Sequence, residues 1–317
     1  MLPFLLIGMA AGLASALLAA GVAAGSTLAV PLFYLAPLPV MIAGIAFAPL
    51  AALVAVAVGG GGLALIFGTT FLITYLVSLG GPAFGLSYAA MMARQDPAGR
   101  DGLVWFPVGG LVLLSAAFST LAVVIALFAV AGDYDSYRSA VIGAFEALLA
   151  GQVMPGAGPQ DPTAVGALIA RILPGMAAVL TMLSQLVCLY LAGRAALISG
   201  RLKRPWPSLS AFRLPPVTSL VLAVAIALAM AGEMVGLSAS AAAATLIFAY
   251  ALAGFAVVHA ITLGHAARFL ILAGLWLTTA VLGWPVIAMA VLGFIDGMFD
   301  FRSRMATGRG PPAANDR

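Results

Sequence analysis

The sequence predicts an all-α fold, a polytopic bundle of transmembrane helices. Of its 317 residues, 64% are hydrophobic and 8% are charged, whereas a soluble domain has about 25% charged residues. Charges this sparse cannot cover a water-soluble globule, so apolar surface must face lipid. Apolar stretches of about 20 residues, the length that crosses a hydrocarbon core, recur along the chain. We expect about eight to ten spans in the lipid bilayer, some of them short or broken.

Prolines and glycines divide the first part of the chain into candidate helices. No positively charged region precedes the first apolar stretch, so it is expected to remain as a helix and not to be cleaved as a signal. Turns are expected at Pro37-Leu38-Pro39, because proline restricts its predecessor, and at Gly59-Gly60-Gly61-Gly62, because glycine disfavours helix. The candidate helices cover residues 3–24, 28–36, 39–58 and 63–79, with a short one at 83–93.

Charged segments divide the rest of the chain. Residues 94–101 contain four charges and one proline and are expected to form a loop. Residues 132–162 are mainly acidic and are expected to lie outside the membrane, with an amphipathic helix around 134–150. The remaining candidate spans cover 103–131, 165–193, 216–232, 240–262, 267–283 and 285–299.

The distribution of basic residues predicts the orientation. The segment from Arg194 to Arg213 has five basic residues and no acidic one, so it is placed in the cytoplasm. The acidic segment lies one span away and falls outside, and counting spans places both termini inside. The predicted organisation is a six-span core over 1–193, a basic cytoplasmic loop over 194–214, additional helices over 215–300 and a disordered cytoplasmic tail over 301–317.

Few residues suggest chemistry. A single cysteine, Cys188, cannot form an internal disulfide or a cysteine-based metal site, and we expect it to be buried. His259 and His265 are six residues apart and do not share a helix face. The sequence contains no zinc-protease, nucleophile-elbow or phosphate-loop motif and no basic patch with interleaved aromatics for nucleic acid. We therefore expect no enzyme, no catalytic residue, no metal and no cofactor.

Polar side chains inside the spans are the main candidates for a binding site. Thr70, Thr74 and Ser78 form one stripe at helical spacing, and Thr181 and Gln185 form another. Such groups could line a pocket for an uncharged, partly aromatic small molecule. They could equally be interhelical hydrogen-bonding groups, worth ~0.6 kcal/mol each. The candidate ligand-binding residues are Tyr34, Thr70, Thr74, Tyr75, Tyr88, Thr181 and Gln185.

Small residues recur every fourth position on the first helix, at Gly8, Gly12, Ala16 and Ala20. Residues at this spacing form one ridge, and small ridges let helix backbones approach closely in lipid. The ridge is interpreted either as a packing face within the chain or as a docking ridge for another membrane subunit.

Near its end the chain carries a charged motif, Gly293 to Arg304, in which Asp296 and Asp300 lie one turn apart. Asp300 and Arg304 have the i,i+4 spacing of a helical ion pair, and arginines at a helix C-terminus suit its dipole. Asp296, Asp300, Arg302 and Arg304 are therefore interpreted as a cytoplasmic membrane-interface anchor. A cytoplasmic docking element is the alternative.

Three short motifs resemble a known family. The turn Tyr34-Leu35-Ala36-Pro37-Leu38-Pro39, the glycine run at 59–62 and the terminal Phe299-Asp300-Phe301-Arg302 resemble the YybS-like predicted membrane proteins of bacteria, a domain of unknown function. That family is distantly similar to the S components of energy-coupling-factor vitamin transporters. The resemblance implies a six-helix core in the bacterial inner membrane and a first helix that docks a coupling subunit.

Two functions remain open from the sequence. The first is a small-molecule binding or transport subunit that resembles an S component. The second is a scaffold or accessory subunit of a membrane complex that transports nothing. The first predicts a cavity between the fourth and sixth spans. The second predicts a partner subunit unrelated to transport.

Overall fold

A computed structural model describes residues 1–24, 29–96, 102–150, 162–209, 212–300 and 302. Within these ranges the chain is helical apart from one short hairpin and the connecting segments. The chain is a polytopic α-helical membrane protein, as its composition predicts. The helices are α1 Leu2–Ala20, α2 Ala29–Leu35, α3 Pro37–Ala46, α4 Pro49–Phe67, α5 Thr69–Tyr75, α6 Gly81–Ala90, α7 Val108–Val130, α8 Tyr134–Ala150, α9 Pro162–Ile198, α10 Val217–Ala229, α11 Glu233–Ile261, α12 Arg268–Leu282 and α13 Pro285–Phe299.

Seven segments in the described ranges are long and apolar enough to cross a membrane. They are α1, α2 with α3, α4, α5 with α6, α7, α9 and α11. Three shorter apolar helices, α10, α12 and α13, have 13 to 15 residues and measure about 20 to 23 Å at 1.5 Å per residue. These three are shorter than a hydrocarbon core of about 30 Å. They overlap three of the four spans that the sequence predicts after the basic segment, those over 216–232, 267–283 and 285–299.

The glycine run does not form a turn, contrary to the sequence-based expectation. Helix α4 continues through Gly59-Gly60-Gly61-Gly62 and ends at Phe67, where Gly68 has a positive φ of 88°. A Cβ on Gly59 would lie 2.6 Å from the Tyr75 hydroxyl, and a Cβ on Gly60 would lie 2.9 Å from Leu72 Cδ1. Two of the four glycines therefore serve close packing, and neighbouring segments outweigh their poor helix propensity.

The ridge on the first helix packs within the chain. A Cβ on Gly8 would lie 2.6 Å from the Ala51 carbonyl oxygen, and a Cβ on Gly12 would lie 2.5 Å from that of Ala55. Ala16 and Ala20 are partly buried against the core formed with α3, α4 and α6. The ridge thus lies against α4, and its glycines are not available to dock another subunit.

The span that contains α5 and α6 is not a uniform α-helix. Leu76–Gly80 forms one π-helical turn between the two helices. A π turn holds an extra residue, so side chains before and after it no longer keep the i,i+4 alignment of an α-helix. Tyr75, directly before this turn, is 1% exposed.

Two compact groups of contacts divide the chain. The first, residues 1–206 with 224–245, contains the core of α1, α3, α4, α6 and α9 and a second cluster formed by α7, α8, α9 and the start of α11. The amphipathic helix expected around 134–150 is present as α8, and the Tyr137 hydroxyl donates to the Ala170 carbonyl oxygen at 3.1 Å. The grouping does not follow the segment boundaries drawn from the sequence, and the six-span core stays a prediction.

The second group, residues 207–223 with 246–317, is held by close helix packing. A Cβ on Gly254 of α11 would overlap the Met289 carbonyl oxygen, and a Cβ on Gly293 of α13 would overlap the Tyr250 carbonyl oxygen. Phe255 of α11 stacks on Trp276 of α12 with ring centroids 4.5 Å apart. Glycine is required at both contacts because backbone, which cannot move aside, occupies the space of a side chain.

Basic residues after α9 contact the ends of two other spans. The Arg201 guanidinium lies 4.4 Å from the centre of the Phe47 ring, just after α3, and Arg204 donates to the Ala90 carbonyl oxygen at the end of α6. Burial lowers the pKa of Arg204. The ends of α3, α6 and α9 therefore lie on one side of the bundle, as expected for helices that cross in alternating directions.

The segment expected to be a loop at 94–101 contains one strand of a hairpin. Strand β1, Ala93–Gln95, pairs antiparallel with β2, Leu103–Trp105. The residues between them lie outside the described ranges.

Candidate functional site

A cavity of about 170 Å³ lies between four spans of the first group. Its walls come from α2, the π turn, α7 and α9. Five of the ten described lining residues are polar and five are apolar, and none of them is acidic or basic. The lining residues are Phe33, Tyr34, Ser78, Leu79, Ala122, Val123, Ala126, Thr181, Ser184 and Gln185.

Gln185 is the most deeply buried polar residue of this lining, at 1% exposure. Its Oε1 accepts a hydrogen bond from Ser115 Oγ at 2.9 Å, whereas its Nε2 is buried and has no hydrogen-bond partner among the described residues. If the amide oxygen and nitrogen of Gln185 exchanged positions, one of the two atoms would still lack a hydrogen-bond partner. A buried amide group without a partner costs about 1–3 kcal/mol, so a hydrogen-bond partner for Gln185 Nε2 would stabilise the protein.

The hydroxyls of the lining differ in the hydrogen bonds that they can still form. Ser184 Oγ donates to the Tyr34 carbonyl oxygen, and Thr181 Oγ1 donates to the Ala177 carbonyl oxygen at 2.8 Å. Because their protons are committed, these two oxygens can only accept further hydrogen bonds. Ser78 lies in the π turn, and its hydroxyl can rotate to donate or accept.

Three of the seven candidate ligand-binding residues meet at this cavity: Tyr34, Thr181 and Gln185. Tyr34 also supplies a carbonyl oxygen that lies 3.4 Å from the sulfur of Cys188. Cys188 is fully buried, as expected.

Thr70 and Thr74 do not line the cavity. Both are exposed on the surface of α5, and Thr74 Oγ1 donates to the Thr70 carbonyl oxygen of its own helix at 2.9 Å. The stripe with Ser78 holds only if the helix is uninterrupted, and the π turn breaks that alignment. The two threonines thus satisfy themselves locally.

Tyr75 and Tyr88 also lie away from the cavity lining. The Tyr75 hydroxyl is 2.9 Å from Ser15 Oγ, and Ser15 Oγ in turn donates to the Ala36 carbonyl oxygen at 2.7 Å. Tyr88 is 48% exposed and stacks on Phe84 with centroids 5.9 Å apart. Tyr75 is therefore an interhelical hydrogen-bonding residue, the alternative that the sequence left open.

Ser115 and the apolar wall formed by Phe33, Ala122 and Val123 belong to the site but are absent from the sequence-based prediction. A lone serine in a long apolar run is a weak signal, because it marks a polar neighbour without identifying it. The apolar residues have no signal at all, since most residues of these spans are apolar.

The charged motif at the end of α13 forms a separate cluster in the second group. The Asp296 and Arg302 side chains form an ion pair and are 3% and 7% exposed, while Asp300 pairs with Arg213 at the surface. Helix α13 ends at Phe299, and Asp300 has left-handed backbone geometry with φ 47°. Arg304 lies outside the described residues, so the helical pair expected between Asp300 and Arg304 stays a prediction.

Helical spans around a small, partly polar cavity define the class: a multi-pass helical membrane protein with a cavity of ligand size between its spans. Among the described residues, no group of three or more His, Cys, Asp or Glu could hold a metal ion. Compared with known proteins, the sequence matches no family model, no curated protein and no solved structure.

Proposed function

We propose that this protein is a small-molecule binding or transport subunit of the bacterial inner membrane, with a resemblance to S components. The cavity between the second, fourth, fifth and sixth spans is the observation that carries this proposal. It lies where a binding subunit of this kind requires one, between the fourth and sixth spans.

The composition of the cavity supports binding over simple helix packing. Many interhelical hydrogen-bonding groups satisfy one another, as Tyr75 and Ser15 do, although Ser119 Oγ and Thr218 Oγ1 are also buried without a partner among the described residues. Gln185 instead keeps one half of its amide without a partner. An amide that lacks one partner, on a residue that lines a cavity, is the arrangement expected of a site that gains a hydrogen bond when a ligand enters.

The position of the cavity along α7 supports access from one side of the membrane. Ala126 lies four residues before the end of α7 at Val130, about 6 Å along the helix axis. The predicted orientation places that end at the external surface. A ligand would then enter from outside, as uptake requires.

The S-component resemblance supplies the further proposal that energy comes from other subunits. A coupling subunit cannot use the glycines of the ridge on α1, because they pack on α4. Exposed faces of other spans would have to supply that contact.

The test is to fill the cavity. Ala122 is 5% exposed and lines it, so Ala122→Leu places three added carbons in the open space; Ala129→Leu, on an exposed part of the same helix, is the matched control. Protein purified in mild detergent is extracted, and bound metabolites are identified by mass spectrometry. We expect a metabolite with the wild type and Ala129→Leu and its loss from Ala122→Leu. Equal recovery from all three, or from none, would contradict the proposal.

A scaffold or accessory role is the alternative that the same preparation tests. The small-residue ridge on α1, a candidate docking surface for such a role, has its glycines packed on α4 within the chain. A stoichiometric partner protein unrelated to transport, together with no bound metabolite, would favour it.

A further inference from the structure

We infer that the cavity binds an uncharged, single-ring compound that carries a carboxamide or lactam group, with Gln185 as the recognition residue. This inference rests on the proposed function and specifies the ligand class. Its three supports are the size, the charge and the hydrogen-bonding pattern of the lining.

The volume limits the ligand to about one ring. The cavity measures about 170 Å³. An apolar cavity of about 150 Å³ holds one benzene molecule, so a six-membered ring with a small substituent fills this one. A fused two-ring system would require the spans to move apart.

The absence of acidic and basic side chains from the described lining requires an uncharged ligand. An ion transferred into a low-dielectric site without a partner loses several kcal/mol of hydration energy that nothing replaces. The described lining offers hydroxyls, one amide and apolar groups, which replace hydrogen bonds with water but not the hydration of an ion.

The free hydrogen-bonding groups select a ligand with an acceptor beside a donor. The Gln185 side chain lines the cavity, and one end of its amide is buried without a partner among the described residues; it pairs with a carbonyl oxygen or with an N–H, according to which amide atom faces the ligand. Thr181 and Ser184 offer acceptor oxygens, because their own protons are committed to backbone carbonyls. A carboxamide or lactam presents C=O and N–H side by side and so complements both sets.

Three probes of the same size separate these requirements: benzamide, toluene and benzoate. Binding is measured by ligand-observed NMR on the full chain in lipid nanodiscs, with empty nanodiscs as the blank for partitioning. We expect benzamide to bind at least tenfold more tightly than toluene and benzoate to show no saturable binding. Equal affinity for benzamide and toluene, or tighter binding of benzoate, would overturn the inference.

Gln185→Met tests the recognition residue. Methionine keeps the length of the side chain and removes the amide, and Ser115 retains a second acceptor, the Met182 carbonyl oxygen at 3.5 Å. We expect benzamide affinity to fall about tenfold, the value of one buried hydrogen bond, and toluene affinity to stay unchanged. Thr74→Val, which alters an exposed hydroxyl of α5, is the control and should change neither.

The outcomes separate this inference from the proposed function. If a bound metabolite is lost on Ala122→Leu while benzamide fails to bind or ignores Gln185→Met, the cavity is a ligand site for another chemical class. If no metabolite is recovered, the proposed function fails whatever the probes do.

Discussion

The carboxylate of Asp296 and the guanidinium of Arg302 form a buried pair in which Arg302 Nη2 and Nε lie 2.8 and 2.9 Å from the same oxygen, Oδ2. The backbone N–H of Arg302 also donates to Oδ1 at 3.3 Å, and Nη1 donates to the Phe212 carbonyl oxygen at 2.8 Å. Arg302 thus connects the end of α13 to the segment before α10, because its side chain binds both the Asp296 carboxylate and the Phe212 carbonyl oxygen.

Removing one charge of this pair should be costly. In Asp296→Asn the guanidinium keeps its charge without a compensating carboxylate, and we expect stability to fall by about 3–5 kcal/mol. The joint replacement Asp296→Leu with Arg302→Met should cost far less, because no buried charge remains. Thermal unfolding in detergent measures both. Asp300→Asn, in the exposed pair with Arg213, is the control and should change stability by less than about 1 kcal/mol. Equal losses of stability in Asp296→Asn and Asp300→Asn would contradict the prediction that the buried pair matters more.

The four consecutive glycines of α4 should respond differently to substitution. Gly59→Ala places a Cβ 2.6 Å from the Tyr75 hydroxyl, so we expect a loss of about 1–3 kcal/mol from overpacking. Gly61→Ala meets no atom within 4 Å and should be neutral or stabilising by up to about 1 kcal/mol, because alanine is the better helix former. Unfolding temperatures of the two variants, measured side by side, test this; a loss at Gly61 as large as at Gly59 would mean that the run acts as a turn.

Tyr75→Phe should weaken the packing of the span that contains α5 on α1. The change removes the bond to Ser15 but leaves Ser15 its acceptor at Ala36, so we expect a loss of about 1 kcal/mol. Tyr88→Phe alters an exposed ring and should have no effect. Thermal unfolding compares the two variants, and ligand affinity should not change in either, since neither ring lines the cavity. Loss of ligand binding in Tyr75→Phe would show that Tyr75 belongs to the binding site.

The start of α8 should depend on pH through Asp133. Ser136 donates its backbone N–H to Oδ1 at 2.8 Å and its hydroxyl to Oδ2 at 3.0 Å, and these bonds lower the pKa of Asp133 from its ordinary 3.8. A lowered pKa means that the contribution to stability is present above pH 3.8 and is lost as the pH falls through the folded-state value. Amide exchange in the first turn of α8, corrected for intrinsic rates, should be faster in Asp133→Ala at neutral pH. The difference from wild type should vanish in strong acid; a difference independent of pH would contradict it.

The fold class follows from composition because a chain with so few charges has no other way to satisfy its backbone in lipid. Some helix positions follow as well: α8 and α13 have the expected bounds, whereas the helix expected over 39–58 is divided between α3 and α4 by a break at Phe47 and Ala48. The glycine run at 59–62 could not be interpreted correctly, because whether glycine breaks a helix or serves close packing depends on Tyr75, a residue of another segment.

The residues of the cavity could be predicted only in part, because contacts between separate segments decide which side chains meet. Thr181 and Gln185 share a face of one continuous helix, so spacing places them together. Thr70 and Thr74 lie away from the cavity, and the sequence does not show this because a π turn leaves no clear mark in it. Ser115 and Gln185 are 70 residues apart, and no local pattern connects them.

The π turn at Leu76–Gly80 makes one residue of its span dispensable. Deleting a single residue there would convert the turn to ordinary α-helix and leave α5 and α6 close to their present directions, because the turn absorbs the extra residue locally. The deletion would remove or displace a wall residue of the cavity, Ser78 or Leu79, and would keep the contact of Tyr75 with Ser15. A version of this chain that is one residue shorter at this point would therefore be expected to differ in ligand and not in fold.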